Sequence, residues 1–219
     1  MQKILIIGEE DKCQFLRKKL DNKGFEIEVS DGDEEEDFRD FDILFDLNFD
    51  DDSENFPLYA GLRDKLIFLS AVKQSLSESA YIYPEKVRSR IFGMNAIPYY
   101  VGQEYWEISA FRGNEWTFAE EFLSKIKQKH IAVDDSVGMF CARKDFLAFN
   151  EVIQLCEKGA VLNYASNLFI QKEFQKIDEI GVTAIFETLM AIYEDTKEIK
   201  YLPCTLLKKK YLRNHKMMK

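Results

Sequence analysis

Few side chains in this sequence can carry acid–base chemistry at neutral pH. Histidine has the unperturbed pKa nearest to neutrality, and the 219-residue chain contains two, His130 and His215. The four cysteines share neither a Cys-x-x-Cys spacing nor a histidine neighbour: Cys13, Cys141, Cys156 and Cys204. They are predicted to pack as small buried apolar side chains. The sequence therefore predicts no metal site.

A phosphate-binding pattern is recognisable at the first turn of the chain. Residues 3–7 form a short apolar run that ends at Gly8, and a helical pattern begins at Asp11. This order is typical of the Rossmann fold, where a helix N-terminus binds the pyrophosphate of a dinucleotide. Of the Gly-x-Gly-x-x-Gly fingerprint only Gly8 is present, because Glu10 and Cys13 stand at the other glycine positions. Either this is a degraded dinucleotide site or it is an ordinary acidic helix start.

An acidic residue about 20 positions after the first glycine holds the adenine ribose in such folds. Asp31 follows the second predicted strand and fits that position. Residues 31–37 contain six acids, so an acid here carries little specificity. Gly8 and Asp31 are the candidate cofactor-binding residues, and NAD is the cofactor they would hold, although the acidic turn makes its binding doubtful.

Strand-like apolar runs alternate with helical patterns over the first two thirds of the chain. The predicted strands are residues 3–7, 25–29, 42–47, 65–70, 90–94 and 105–111. From Arg143 onward the apolar residues recur at helical spacing. We therefore predict an α/β protein: a Rossmann-type, dinucleotide-binding-like domain with a doubly wound parallel sheet in residues 1–134, then an all-helical C-terminal domain in residues 135–219.

The charge of the chain limits its partners. Thirty Lys and Arg against thirty-nine Asp and Glu give a net charge of −9, which disfavours nucleic-acid binding. Residues 1–60 hold nineteen acids and seven bases, with a second acid-rich stretch at 50–54. No apolar run approaches the roughly 18 residues of a membrane-spanning helix. Because the start of the chain also lacks a signal-peptide pattern, a cytoplasmic protein is expected.

The end of the chain has the opposite charge. Residues 208–219 contain six Lys or Arg, one His and no acid. This tail is either a frayed, solvated helix end or an arm that docks an anion or a partner. An acidic first half meeting a basic tail could also join two copies of the chain.

Four short segments resemble, in one order, the 3-hydroxyacyl-CoA dehydrogenases. Residues 90–98 (RIFGMNAIP) are similar to the R-x-x-G-M-H-F-F-N-P stretch of that family, and 105–109 (YWEIS) to its following L-V-E-V strand. Residues 133–143 (VDDSVGMFCAR) resemble the V-x-D-x-x-G-F-I-x-N-R junction, and 149–152 (FNEV) its N-E-A. The resemblance covers most of residues 1–160. It implies a Rossmann domain, a helical domain used for dimerisation, NAD, and a role in fatty acid metabolism.

The departures from the family fall where its chemistry takes place. In the family, a His accepts the hydroxyl proton while hydride passes to NAD, and a Glu orients that His. Asn95 stands at the His position and Glu107 at the Glu position. Ser70 falls at the start of the family's substrate-holding S-N-T-S segment, and Ala142 replaces the Asn of N-R. Asn95, Glu107 and Ser70 are the candidate catalytic residues.

One further departure bears on ligands. Only twelve residues separate Val29 from Asp42, too few for the helical insert that helps the family to hold CoA. The enzyme hypothesis predicts an open cleft lined by the five candidate residues. The binding-protein hypothesis predicts that Glu10, Phe92 or Tyr99 fills that cleft.

Three hypotheses follow, and whether the protein is an enzyme stays open among them. The preferred one is a divergent family member that is non-catalytic or altered in activity, binding a nucleotide, an acyl-CoA or a protein partner. The alternative is an active NAD(H)-dependent oxidoreductase acting on a 3-hydroxyacyl thioester or a small 3-hydroxy acid. The third is a structural homodimer joined through the helical domain. Its exposed apolar face would be supplied by aromatic residues such as Phe146, Phe149, Phe169, Phe174 and Phe186, although most of these are expected to pack in the core instead.

Overall fold

A twisted sheet organises the first of two units, Met1–Met139; the second is Phe140–Lys219. The computed structural model describes residues 1–31, 40–48, 64–81, 83–158 and 164–218, with the backbone alone for 164–169. The acid-rich stretches within 32–37 and 50–54 lie outside the described residues, as does the side chain of Phe169. No helix in the described part of the chain is long and apolar enough to cross a membrane.

Seven strands pair within the described residues: β1 (Gln2–Ile7), β2 (Phe25–Ser30), β3 (Ile43–Asp46), β4 (Leu66–Ser70), β5 (Ile91–Met94), β6 (Tyr105–Ala110) and β7 (Lys129–Ala132). Their order across the sheet is β2-β1-β3-β4-β5-β6-β7. Strands β1 to β5 are parallel to one another. The α/β fold class is thus confirmed.

The sheet is nevertheless mixed, so the fully parallel sheet of the prediction is wrong in one part. Strand β6 runs antiparallel to β5, and β7 runs parallel to β6. Only ten residues, 95–104, connect β5 to β6, whereas a crossover between parallel strands needs a dozen or more. The short connection therefore returns the chain in the opposite direction.

Five helices flank the described part of this sheet: α1 (Glu10–Leu20), α2 (Leu76–Ala80), α3 (Glu85–Arg88), α4 (Pro98–Val101) and α5 (Trp116–Lys125). Helix α1 buries Cys13, Leu16 and Leu20, which recur at helical spacing. Strands buried on both faces need apolar side chains in both directions, and residues 4–7 are fully buried accordingly.

An aromatic ladder fills one face of the sheet. Phe45, Phe68 and Phe92 are neighbours in register on β3, β4 and β5. Their ring centroids lie 4.8 and 5.9 Å apart, and Phe122 of α5 packs against the first two at 5.7 and 5.9 Å. Each buried ring contributes about 1.5–3 kcal/mol by leaving water. Phe92 therefore belongs to the core, and the prediction that it fills a cleft is wrong.

The second unit consists of helices in its described part: α6 (Met139–Glu157), α7 (Tyr164–Ile180), α8 (Val182–Thr196) and α9 (Thr205–Leu212), with a 3-10 turn at Ile199–Tyr201. Phe146 and Phe149 are buried and stack at 6.1 Å. They do not form the exposed apolar face predicted for them. Phe174 and Phe186 are half-buried.

Candidate functional site

The five candidate residues lie along one edge of the sheet. Gly8 follows β1, Asp31 follows β2, Ser70 ends β4 and Asn95 follows β5. Glu107 is the third residue of β6, which runs the other way and so begins at the same edge. The carboxyl ends of parallel strands are where open α/β sheets bind ligands. The fold thus gathers these residues at a suitable edge, in two groups separated by β3.

Asn95 and Glu107 form a direct pair. The Asn95 Nδ2 donates a hydrogen bond to Glu107 Oε2 at 3.0 Å, and the two residues are 3% and 4% exposed. The Asn95 Oδ1 accepts a longer bond from the backbone N–H of Ile97, at 3.4 Å. A carboxamide has no group that titrates near neutral pH. The pair is therefore well positioned but holds no imidazole to act as a general base.

Gly93 and Ser109 support this pair from the neighbouring register position of β5 and β6. A Cβ on Gly93 would lie 2.3 Å from Ser109 Oγ and 3.1 Å from Ala71 Cβ, so the glycine is needed for close packing. Ser109 is fully buried, and its hydroxyl has no hydrogen-bond partner in the described structure. We assigned neither residue from the sequence, although a glycine within a strand pattern is a signal of close approach.

Ser70 brings another unsatisfied hydroxyl to this edge. It is the last residue of β4 and is in register with Met94, next to Asn95 along β5. Its Oγ is buried without a hydrogen-bond partner among the described residues. Buried polar atoms normally have partners. The Ser70 hydroxyl is therefore the group of this site that a ligand's polar atom could satisfy.

The second group surrounds Gly8, between the ends of β1 and β3, where the strand order reverses. Gly8 has a φ of +147°, which favours glycine. Its N–H donates to the Ser30 carbonyl at 2.8 Å and so continues the sheet. A Cβ here would lie 3.3 Å from Cys13 Sγ and 3.5 Å from Leu47 Cβ. Cys13, at the third glycine position, packs between the helix and the strand turn.

The charge around Cys13 is negative. Burial, the largest cause, and the carboxylates of Asp11, Asp46 and Glu10 together raise the pKa of its thiol to about 11, although the ammonium of Lys12 acts in the opposite direction. Asp46 ends β3 and is itself buried. Carboxylates that disfavour a thiolate also disfavour a pyrophosphate nearby. The residues of this crevice therefore do not fit the pyrophosphate of NAD in charge, although the backbone turn is retained.

The exposed side chain of Glu10 does not fill the crevice in the way the binding-protein hypothesis predicted. Asp46 was not singled out from the sequence. The signal in the sequence that could have identified it is an acidic residue at the end of an otherwise apolar, buried strand, Ile43–Asp46. Its charge also raises the pKa of Tyr83, after burial, the larger cause.

Neither histidine replaces the missing base. His130 lies within β7. It is in register with Trp106, one residue before Glu107. Because successive strand residues point to opposite faces, His130 and Glu107 lie on different faces of the sheet. The imidazole stacks on Trp116 at 5.9 Å. His215 is exposed in the helical unit.

Asp135 fixes the start of α2, the helix that contains Leu76 and Ser77. Its two carboxylate oxygens accept the backbone N–H groups of Leu76 and Ser77, at 2.7 and 2.8 Å. Ser75 and Glu78 complete a capping box on the same helix. Asp135 belongs to the junction segment that carried the family resemblance, but the sequence revealed no role for it.

The cysteines and acids form no further centre within the described residues. Cys13 and Cys204 are buried as predicted, whereas Cys141 and Cys156 are only half-buried. Burial raises the pKa of the Cys156 and Cys204 thiols. No group of three His, Cys, Asp or Glu in the described parts could hold a metal ion.

Solved structures share this architecture at low sequence identity. FadB2 of M. tuberculosis superposes with a TM-score of 0.78 at 12% identity, over 98% of this chain and 94% of its own. The (S)-3-hydroxybutyryl-CoA dehydrogenase PaaH1 of Ralstonia eutropha gives 0.69 at 12%, over 98% and 94%. The 3-hydroxybutyryl-CoA dehydrogenase of Escherichia coli K12 gives 0.74 at 12%, over 97% of this chain and 57% of its own.

No protein-family model and no curated protein sequence matches the chain. At 12% identity, the structural likeness establishes the fold, while activity has to be argued from the site. The order of segments that resembled the family in the sequence agrees with this likeness. The chain has the fold of the 3-hydroxyacyl-CoA dehydrogenases, with a Rossmann-like sheet followed by C-terminal helices.

Proposed function

We propose that this protein is a binding protein built on the 3-hydroxyacyl-CoA dehydrogenase fold, without that family's dehydrogenase activity. The observation that carries the proposal is the buried Asn95–Glu107 pair, whose amide donates to the carboxylate at 3.0 Å. Oxidation of a hydroxyl group requires a base that accepts its proton. An amide cannot do so, and losing a general base costs about 10²–10⁴ in rate.

The crevice at Gly8 supports the same proposal. The carboxylates of Asp11, Asp46 and Glu10 raise the pKa of the neighbouring thiol of Cys13. A dinucleotide would bring its negative pyrophosphate into this field, where water and counter-ions would have to offset the repulsion. The cofactor and the proton acceptor are thus both disfavoured, in two separate groups of residues.

The proposed ligand is an acyl thioester, which the resemblance suggests and the free hydroxyl of Ser70 favours. That hydroxyl is buried without a partner in the described structure, and an uncharged carbonyl oxygen would accept a hydrogen bond from it. The side-chain amide of Asn95 is the second polar group of this edge. Asn95 directly follows Met94, the residue of β5 that is in register with Ser70. Neither group requires a redox cofactor to bind a carbonyl.

Thermal unfolding with acetoacetyl-CoA, NAD and NADH, each added separately, tests the proposal. A ligand at about 100 times its dissociation constant stabilises the folded state by about 2.7 kcal/mol, a shift of roughly 5–10 °C for a chain of this size. We expect the shift with acetoacetyl-CoA, its reduction in Ser70→Ala, and none with NAD or NADH. A clear NADH shift would contradict the cofactor argument.

The second candidate is an active NAD(H)-dependent oxidoreductase on a 3-hydroxyacyl thioester or a small 3-hydroxy acid. It is favoured by the position of Ser70 and Asn95 at the edge where the fold places its substrates. The test is NADH consumption with acetoacetyl-CoA. We expect none from the wild type, and none from Asn95→His while the crevice stays acidic. Turnover by the wild type that Asn95→Ala abolishes would establish this second candidate instead.

Homodimerisation through the helical unit, as in the resemblance, stays a prediction. Two of the side chains proposed for the interface, Phe146 and Phe149, are buried within the unit. Exposed apolar side chains on the same helix, Phe140 and Leu155, remain available. Light scattering on the purified chain measures its mass and decides between monomer and dimer.

A further inference from the structure

The basic end of the chain is part of the folded helical unit. Leu207 of α9 is fully buried. The ring of Tyr211 stacks on Phe186, with centroids 4.1 Å apart, and its hydroxyl donates to Glu187 Oε1 at 3.0 Å. The interpretation of this end as a frayed helix is therefore wrong.

The turn after α9 is also fixed. The backbone N–H groups of Met217 and Met218 donate to the carboxylate of Asp178 on α7, at 2.6 and 3.0 Å. The ammonium of Lys210 donates to the carbonyl of Lys216 at 2.6 Å. Side chains carried by this segment are thus held on an ordered backbone, which reduces the entropy that they lose on binding.

The outward face of this segment carries four cations and one apolar side chain, which we call the basic stripe: Lys208, Lys209, Leu212, Arg213 and Lys216. The first four occupy helical positions i, i+1, i+4 and i+5, which share one side of a helix. All five are exposed, and Leu212 is 69% exposed at the centre. This face lies opposite the buried Leu207.

The four cations make no side-chain ion pair or hydrogen bond with any described residue, whereas four other bases of the unit are held in ion pairs. Those pairs are Arg143 with Asp195, Lys176 with Asp145, Lys197 with Glu194, and Lys200 with Glu198. Four neighbouring charges of one sign repel one another and weaken the fold. An external anionic partner would attract each of these cations and so offset their mutual repulsion.

We propose that the basic stripe docks an acidic protein segment whose apolar side chain covers Leu212. Charge complementarity supplies the attraction, and the exposed leucine requires a partner with apolar surface as well as carboxylates. An acidic helix or strand meets both requirements. The inference is independent of the proposed function, because the stripe contains none of the residues assigned to the site.

The charge of the whole chain favours a short acidic segment over an extended polyanion. Residues 1–139 contain 17 bases and 29 acids, a balance of −12, against 13 bases and 10 acids in residues 140–219. An extended polyanion such as a nucleic acid or an anionic membrane responds to the net charge of a whole protein, which is −9 here and disfavours its binding. A short segment interacts with the stripe locally.

Fluorescence anisotropy with a labelled acidic peptide tests the proposal on the full chain. The probe is a peptide of about 14 residues with Glu at helical spacing and a central Leu. We expect binding that weakens with added salt and falls roughly tenfold or more in Lys208→Gln/Lys209→Gln/Arg213→Gln. Leu212→Ser is expected to weaken binding with an unchanged salt dependence. Lys172→Gln, an exposed lysine of α7, is the matched control and should bind as the wild type does.

Other outcomes overturn the proposal. Absence of peptide binding, or equal losses in the triple variant and in Lys172→Gln, would remove the basic stripe as a docking surface. Tighter binding of duplex DNA, or of phosphatidylserine vesicles, than of the peptide would assign the stripe to a polyanion instead. Circular dichroism of the triple variant establishes that α9 is retained, since the glutamines replace exposed side chains.

Discussion

The two groups of residues at the sheet edge have changed in different ways relative to the resemblance. Around Gly8 the backbone turn is retained, with a φ of +147° and close contacts to Cys13 and Leu47, while acidic side chains reverse the charge that a pyrophosphate needs. At the ends of β5 and β6 the buried carboxylate of Glu107 is retained, while Asn95 replaces the group that would titrate. The group around Gly8 thus matches the resemblance in backbone geometry but not in charge. The group at β5 and β6 matches it in the carboxylate of Glu107 but not in the titrating residue.

This difference shows which features the packing enforces. A Cβ on Gly93 would overlap Ser109 Oγ, and the φ of +147° at Gly8 is strained for any other residue, so both positions are held by the fold whatever the function. The charges of Glu10 and Asp11 face solvent, and the fold does not constrain them. Asn95 and Glu107 fall between these cases, because each is buried and satisfies the other's polar atoms.

The largest expected effect comes from breaking the buried pair. Asn95→Leu removes the amide that donates to Glu107 in a site with little access to water. We expect it to lower the free energy of unfolding by about 3 kcal/mol, because a buried carboxylate loses a hydrogen bond. Denaturant titration measures the change.

The matched control is the double variant Asn95→Leu/Glu107→Met, which removes the carboxylate as well. It should recover part of the loss, since replacing both polar partners by apolar groups can be nearly neutral. A loss below about 1 kcal/mol in the single variant would show that the pair contributes little to stability.

The sequence predicted most of the sheet for a physical reason. Buried parallel strands need apolar side chains on both faces, and the runs at residues 3–7 and 65–70 are recognisable without tertiary information. The direction of β6 was missed because the strand pattern is the same in either direction, and only the ten-residue connection determines it. Asn95 and Glu107 were found through the resemblance. Asp46 raises the pKa of Cys13 because the fold brings the end of β3 near α1. A local sequence pattern does not contain information about this proximity.

The next expected effect is a dependence of the unfolding free energy on pH, which arises from the raised pKa of the Cys13 thiol in the crevice. Because the thiol pKa of Cys13 is about 11 in the fold against about 9 in the unfolded chain, the unfolded thiol ionises first as pH rises. The wild type should therefore lose stability on account of this group as the pH rises through 9, and the loss should approach a total of about 2.7 kcal/mol above pH 11. Well below pH 9 the thiol is protonated in both states and contributes no pH dependence.

Cys13→Ala isolates this contribution, because other groups that titrate in the same range remain in both proteins. The difference in unfolding free energy between wild type and variant should be constant up to about pH 8.5. It should then shrink as pH rises towards 11. Parallel curves for the two proteins up to pH 11 would contradict the raised pKa of the Cys13 thiol in the folded state.

A smaller effect is expected at the glycine beneath the pair. Gly93→Ala places a Cβ 2.3 Å from Ser109 Oγ and 3.2 Å from Leu76 Cβ. We expect a loss of about 2 kcal/mol from overpacking. Adding Ser109→Ala should recover part of it by removing the hydroxyl, whereas Ser109→Ala alone should be nearly neutral, because this Oγ has no partner in the described structure. No recovery in the double variant would place the strain at Ala71 and Leu76 instead.

The smallest expected effects rank the three acids whose charges raise the pKa of the Cys13 thiol. Asp11→Asn should lower the pKa of Cys13 most, Asp46→Asn less and Glu10→Gln least, in the order of their influence on the thiol. None should lower it as far as exposure to water would, because burial is the larger cause. The Cβ chemical shift of labelled Cys13 measures each pKa, and Glu28→Gln on β2, whose charge does not act on the thiol, is the control. If Glu10→Gln had the largest effect, the residue at the second glycine position would dominate the field, and exchanging it for glycine would then be the single change most able to readmit a pyrophosphate.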